Sequence, residues 1–227
     1  MEYITSSDFH FKDTAVALGK FEGIHRGHQL LMDEVKKQEL HGLRSVVFTF
    51  DRPTRLTLTG DTEYKQIYTK KERREILEKR GIDILIEHPF TKEFAALTPD
   101  RFIREVLVEK VGAKVIVVGT DFHFGKNRSG SITDLEKLEE ECGYHLIVVE
   151  KLQLNGKDIS STRIRASLEK GAMEEAKALL GRNYSVSGEI LHGNALGRTI
   201  QVPTINQQVP SFKLLPPNGV YVSKIHW

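Results

Sequence analysis

Thr14-Ala-Val-Ala-Leu18-Gly19-Lys20-Phe21-Glu22-Gly23-Ile24-His25-Arg26-Gly27-His28 is the stretch on which the fold turns. Its first five residues form a short apolar run ended by glycine, the pattern of a buried strand. The residues that follow, Gln29 to Leu40, carry Leu30, Leu31 and Val35 at helical spacing. Strand, glycine-bearing loop and helix in that order make the front half of a βα unit.

The same alternation repeats on the C-terminal side. Ser45 to Phe50 (SVVFTF) predicts a strand, and Thr69 to Arg80 a charged helix stopped by Gly81. Ile82 to Ile86 predicts the next strand, and Thr98-Pro99-Asp100 opens a helix with a cap residue, a first-turn proline and an acid. Val115 to Val118 and Leu146 to Val149 read as buried strands. Five strands separated by helices of this length predict parallel βαβ units. The fold class is therefore α/β, a doubly wound parallel sheet with helices on both faces. Ligands of such sheets sit beyond the carboxyl ends of the strands, so the chemistry belongs in the loops that follow them.

After Gly181 the pattern changes. Tyr184 to Leu191 alternates and predicts a strand, His192 to Gly197 is a turn cluster, and Gly219 to Ile225 predicts a further strand. This is the opening of a small antiparallel β module, which divides the chain into domains 1–181 and 182–227. From Arg182 onward there are four basic residues (Arg182, Arg198, Lys213, Lys224) against one acid, Glu189.

The whole chain of 227 residues carries 33 Lys+Arg against 31 Asp+Glu, a net charge of +2. That balance speaks against a coat built for nucleic acid. A composition of 39% apolar and 28% charged residues suits a globular protein. No apolar run approaches the ~20 residues of a membrane helix. The polar N-terminus is no secretory signal. The single cysteine, Cys142, cannot form an internal disulfide, which fits a cytoplasmic protein.

Three loops carry chemistry. In the first, Gly19, Gly23 and Gly27 let backbone N–H groups approach an anion at a helix N-terminus. His25 and His28, three apart, can donate to phosphate oxygens as charge builds in a transition state. The plainer alternative is a histidine that merely caps the helix. In the second, Ile159-Ser-Ser-Thr-Arg-Ile-Arg165, the serines are helix caps, Ser161 and Thr162 with first-turn N–H groups can hold phosphate, and Arg165 can pair with it bidentately. An ordinary capped surface helix is the alternative. In the third, Val118-Gly-Thr-Asp-Phe-His-Phe-Gly125, Asp121 can bond a ribose or base, while Phe122 and Phe124 can be packing anchors.

These three motifs, in this order, resemble those of the bacterial bifunctional riboflavin kinase/FMN adenylyltransferase family, also called FAD synthetases, whose first module belongs to the His-x-Gly-His nucleotidyltransferases with a Rossmann-like sheet. The resemblance implies transfer of AMP from ATP to FMN, giving FAD and pyrophosphate. It implies that His25, His28 and Arg165 serve catalysis and that Gly19, Phe21, Gly27, Asp121, Ser161 and Thr162 bind ATP. Mg²⁺ would bridge phosphate oxygens, without a carboxylate cage of its own. Two departures stand out: the family usually has Asp at Glu22, and Arg52-Pro53-Thr54 replaces a His-Pro pattern, so no flavin contact is assigned there.

The later stretch, Gly181 to Gly188, Gly193 to Arg198, Val202-Pro-Thr-Ile-Asn206 and Pro217-Asn-Gly-Val-Tyr221, resembles the opening of the family's riboflavin kinase barrel. Thr204 and Asn206 would there hold Mg²⁺ and ATP phosphates, with the turn Gly193 to Gly197 as a phosphate cradle. A closed barrel needs more strands than this stretch supplies. The expectations are a kinase module that is partial in this chain, unpaired strands open to self-association, and no phosphorylation of riboflavin by these residues alone. The competing readings are another nucleotidyltransferase of the superfamily and a flavin- or nucleotide-binding protein without catalysis. The expected partners are small molecules, with neither nucleic acid nor membrane among them.

Overall fold

The computed structural model describes residues 1–53, 60, 63–191 and 204–226. Thr54, and the whole stretch from His192 to Pro203 with its glycine turn and Arg198, lie outside them.

Six parallel strands form the central sheet: β1 Glu2–Ile4, β2 Thr14–Leu18, β3 Arg44–Phe50, β4 Ile84–His88, β5 Ala113–Gly119 and β6 His145–Val149. Their spatial order is β1-β4-β3-β2-β5-β6. The sequence predicts five of the six. The sixth, β1, is a three-residue edge strand paired with Ile84–Ile86, too short to show a pattern. The fourth strand starts and ends two residues later than its apolar run suggests, because the parallel register with β3 extends to Phe50 and His88.

Strand alternation divides the core between the two faces. On one face Val16, Val46, Ile84 and Ile116 meet Ile103 and Leu107. On the other Ala15, Ala17, Val47, Leu85 and Val117 meet Leu31, Met32, Val35 and Leu77. The helices behind these contacts are α1 Arg26–Lys37, α2 Lys70–Lys79 and α3. The last begins at Pro99–Arg101 and winds on as a π-helix over Phe102–Lys110. Thr69 and Glu72 form a reciprocal cap on α2, and Thr98 caps α3 ahead of Pro99, as the cap signals predict. After α3, Gly112 is obligatory. Its φ is 66°, and a Cβ there would lie 2.3 Å from the Phe11 carbonyl oxygen.

Helix α4 Ile132–Cys142 precedes β6, and a small hairpin, β7 Gln153–Leu154 with β8 Lys157–Asp158, precedes α5 Ser161–Glu169 and α6 Met173–Leu180. Ile164, Leu168, Leu179 and Leu180 of these last helices enclose a third cluster with Ile67, Tyr68 and Leu214. Leu214 comes from the segment beyond Gly181, which therefore shares a core with the first 180 residues.

Beyond Gly181, β9 Glu189–Leu191 and β10 Asn206–Gln208 make an antiparallel pair. This corrects the strand expected from Tyr184 to Leu191, of which only the last three residues join a ladder. Gly219 to Ile225, expected as a strand, has no ladder partner among the described residues. Val220 and Val222 are fully exposed, so their β propensity has no edge to act on.

Candidate functional site

The chain runs from β2 to β3 and β4 on one side of the sheet and from β5 to β6 on the other. Between β2 and β5 the order reverses, and at such a switch point open α/β sheets have their ligand crevice, outside the carboxyl ends of the two strands. The loop after β2 carries the histidines, and the loop after β5 carries Asp121.

His25 is the N-cap of α1. Its Nδ1 accepts from the His28 backbone N–H at 3.2 Å. The plainer reading of a capping histidine is thus correct for this nitrogen, and it has a chemical consequence. A neutral ring that accepts at Nδ1 carries its proton on Nε2, where it can donate. The His25 and His28 rings stack with centroids 3.6 Å apart, and Phe21 meets the His28 ring edge-on at 5.1 Å. Gly27 permits the stack, since a Cβ there would lie 3.3 Å from the His25 ring. His28 Nδ1 is buried without a hydrogen-bond partner among the described residues.

Burial pushes the His25 ring down to about 4, with the Arg182 charge acting in the same direction and Asp121 opposing it. His28 is also pushed well below its ordinary value, first by burial and then by His25 and Arg182. Both rings are uncharged near neutrality, so each carries one ring N–H available to donate. Phe21 and Ile24 are fully buried yet hold φ of 45° and 41°. Such a conformation is costly for a β-branched residue and persists only where the surroundings over-determine it. With its side chain in the core, Phe21 has only its backbone to offer a nucleotide, and its ring covers Gly19.

Ser160 caps α5 by accepting from the Arg163 N–H at 3.3 Å. The helix start abuts the histidine loop: a Cβ on Gly23 would lie 3.8 Å from Ser161 Oγ and 3.3 Å from Ile164. Thr162 is exposed in the first turn. The first two motifs therefore meet. Arg165 lies on the same side but is engaged: it pairs with Glu22, donates to the Lys65 carbonyl at 2.5 Å and stacks over Tyr64 at 4.1 Å. Asp121 is at the exposed rim, bound by Lys151 at 3.1 Å. Thr204 and Asn206 are exposed, Asn206 opening β10, and neither is brought to this crevice by any described contact.

Several residues at the site carried no assigned role in the sequence. Glu22 ties Arg165 to the loop, accepts from Tyr64 at 2.7 Å and from the Ile67 N–H at 3.3 Å. It stands inside the first motif, so it was within reach. Tyr64 and Arg182 follow no local pattern. A cleft beside Glu22 is lined by Lys20, Phe50, Asp51, Tyr64, Tyr68 and Arg73. Among the described residues no cluster of three or more His, Cys, Asp or Glu could hold a metal ion, and no helix is long and apolar enough to cross a membrane.

Residues 8–163 match the family model described as FAD synthetase, and residues 180–227 the model described as riboflavin kinase. The chain is 34% identical over 223 residues to the bifunctional riboflavin kinase/FMN adenylyltransferase of Listeria monocytogenes, covering 97% of this chain and 70% of that protein. To the protein of the same name from Bacillus subtilis it is 35% identical over 214 residues, covering 93% and 67%. A crystal structure described as a macrolide-efflux protein from Streptococcus pneumoniae superposes with a TM-score of 0.86 at 31% identity, covering 97% of this chain and 73% of that one.

Proposed function

Since the chain belongs to the FAD synthetase family of bifunctional riboflavin kinase/FMN adenylyltransferases, we propose that its FMN adenylyltransferase reaction takes place at the crevice between β2 and β5. The chain is an enzyme that joins AMP from ATP to FMN. In this reaction an FMN phosphate oxygen bonds to the α-phosphorus as the bond to the bridging oxygen breaks, and pyrophosphate leaves with that electron pair. There is little covalent work for the protein, so positioning and charge stabilisation carry the rate.

The observation that supports this placement is the stacked, uncharged histidine pair after β2, His25 buried and His28 half-buried with an orphaned ring nitrogen. A buried polar atom without a partner costs free energy unless a ligand satisfies it. Phosphate oxygens suit it, as they suit the Nε2 donor of His25. We assign both histidines to the transferring phosphate, where donors gain strength as charge develops. Ser161, Thr162 and the first N–H groups of α5 receive the leaving pyrophosphate, with Arg165 held beside them by Glu22. Asp121 takes the nucleoside end, and Gly19, Phe21 and Gly27 contribute backbone. Magnesium bound to ATP would neutralise phosphate charge.

The cleft beside Glu22 suits the flavin, with Phe50 and Tyr64 offering ring faces and Lys20 and Arg73 positive charge. The kinase-like segment keeps Thr204 and Asn206 as candidate phosphate and metal contacts of the second activity. The test is FAD and pyrophosphate formation from FMN and MgATP by the chain and by His28→Ala. Loss in the variant, with folding intact, supports the placement; full activity refutes it.

A further inference from the structure

Arg182 stands beyond the last helix of the first module, yet its side chain ends at the histidine loop. Nη1 donates to the Ile24 carbonyl at 2.8 Å and to the Leu180 carbonyl at 3.2 Å, and Nη2 donates to the Gly23 carbonyl at 2.9 Å. The guanidinium also lies 5.1 Å from the centre of the Tyr68 ring. Two of the three carbonyls immediately precede His25, and one belongs to Ile24, the residue held in the left-handed region. Gln29 adds bonds to the Ile24 carbonyl at 2.9 Å and the Leu180 carbonyl at 2.8 Å. A peptide that would relax if released is thus fixed by a planar fork matched to its carbonyls.

We propose that Arg182 is a positioning residue for adenylyl transfer, acting through His25 and His28 although it comes from the segment that matches the kinase. The inference deepens the assignment of the two histidines to the transferring phosphate and rests on it. It has a geometric and an electrostatic part. Geometrically, the fork sets where the His25 ring begins. Electrostatically, a fixed cation beside the two rings adds to the burial that keeps them unprotonated. The groups facing the pair are Arg182 from beyond α6, Asp121 from the loop after β5, which opposes it, and each histidine toward the other. Arg182 itself faces Tyr68 and, from the end of α2, Arg80.

The two parts separate in variants of the full chain, assayed for FAD formation from FMN and MgATP across pH ~4.5–8. Arg182→Gln removes the charge and most of the fork. We expect kcat to fall about a hundredfold, the scale of a small misplacement at a reacting centre, with KM for ATP little changed. The acid limb of kcat/KM should also move up toward 6.5. Arg182→Lys keeps the charge and loses the fork, so kcat falls while the acid limb stays. Full kcat in Arg182→Lys, or full kcat with an unmoved acid limb in a folded Arg182→Gln, overturns the proposal. If Arg182→Gln does not fold, Arg182→Lys decides alone. His28→Ala run alongside separates the failures: if it keeps full activity, the histidine assignment is wrong. If it alone loses activity, only the role of Arg182 is wrong.

Discussion

His25 and His28 leave water as neutral rings, whereas Glu72 and Lys213 leave it as an ion pair. Among the described residues the histidines have no counter-ion in contact, and burial disfavours their charged forms. Lys213, 3% exposed, bonds Glu72 at 2.6 Å and the Ile67 carbonyl at 2.8 Å, beneath the rings of Tyr68 and Tyr184. Glu72 in turn accepts from the N–H groups of Thr69 and Ser187 at 2.9 and 2.8 Å. The Glu72–Lys213 pair itself is saturated, and the histidine pair is open at His28 Nδ1, which has no hydrogen-bond partner among the described residues. A buried polar group with its bonds made serves the fold, and one left without a partner calls for an explanation, which at His28 the proposed phosphate contact supplies.

Cutting the saturated cluster should have the largest effect. Glu72→Ala leaves Lys213 buried and alone, and urea unfolding should show a loss of about 3–5 kcal/mol. The double variant Glu72→Met/Lys213→Met should recover most of it, since no charge is then stranded. If the double variant is as unstable as the single, the pair is not what binds the later segment to α2.

The open cluster should answer in rate rather than stability. His28→Ala should slow FAD formation about 10²–10³-fold, the scale of losing one transition-state donor, with a much smaller shift in the urea midpoint than Glu72→Ala. Equal losses in both readouts would erase the contrast.

The two clusters also differ in their pH windows. Unfolded His25 binds a proton near 6.5 and the folded ring only near 4, so stability falls as pH drops through that window. The acid limb of kcat/KM should accordingly lie well below 6.5. Burial pushes Lys213 from 10.5 down to about 8, with Glu72 opposing. Between those values the unfolded chain holds a proton that the folded chain has released, so this group makes stability rise with pH. The rise should be absent in Lys213→Met. As the smallest effect, Glu105→Ala, which removes the exposed Arg101 partner on α3, should leave the urea midpoint unchanged.

Much of the sheet was legible because its strands are apolar on both faces and its helices announce their ends. Thr69, Thr98, Ser160 and Gly181 cap or close helices where the sequence places those signals. The histidine loop was legible from its motif, and a phosphate site shared with the start of α5 was implied by the family resemblance. What was not legible depends on distant partners. Nothing local marks Lys213 for burial, since Glu72 is 141 positions away. Arg182 and Lys213 read as part of a basic tail, but the structure uses both inside the molecule. Gly219 to Ile225 shows the converse, a strand pattern without an edge to join among the described residues.

The left-handed Phe21 and Ile24 set how the molecule opens. The side chains of both lie in the core shared with β2 and α1, but the carbonyls of Gly23 and Ile24 are held by Arg182, and Gly23 packs on Ile164 of α5. When that later layer lifts away, the loop loses the donors that fix its carbonyls, while β2 retains its ladders to β3 and β5. Amide protons of residues 21–28 should therefore exchange with solvent in the same cooperative event as the last turn of α6, ahead of those in β2. The histidine loop and the scaffold beneath it are then separate exchange units, although they are consecutive in the chain.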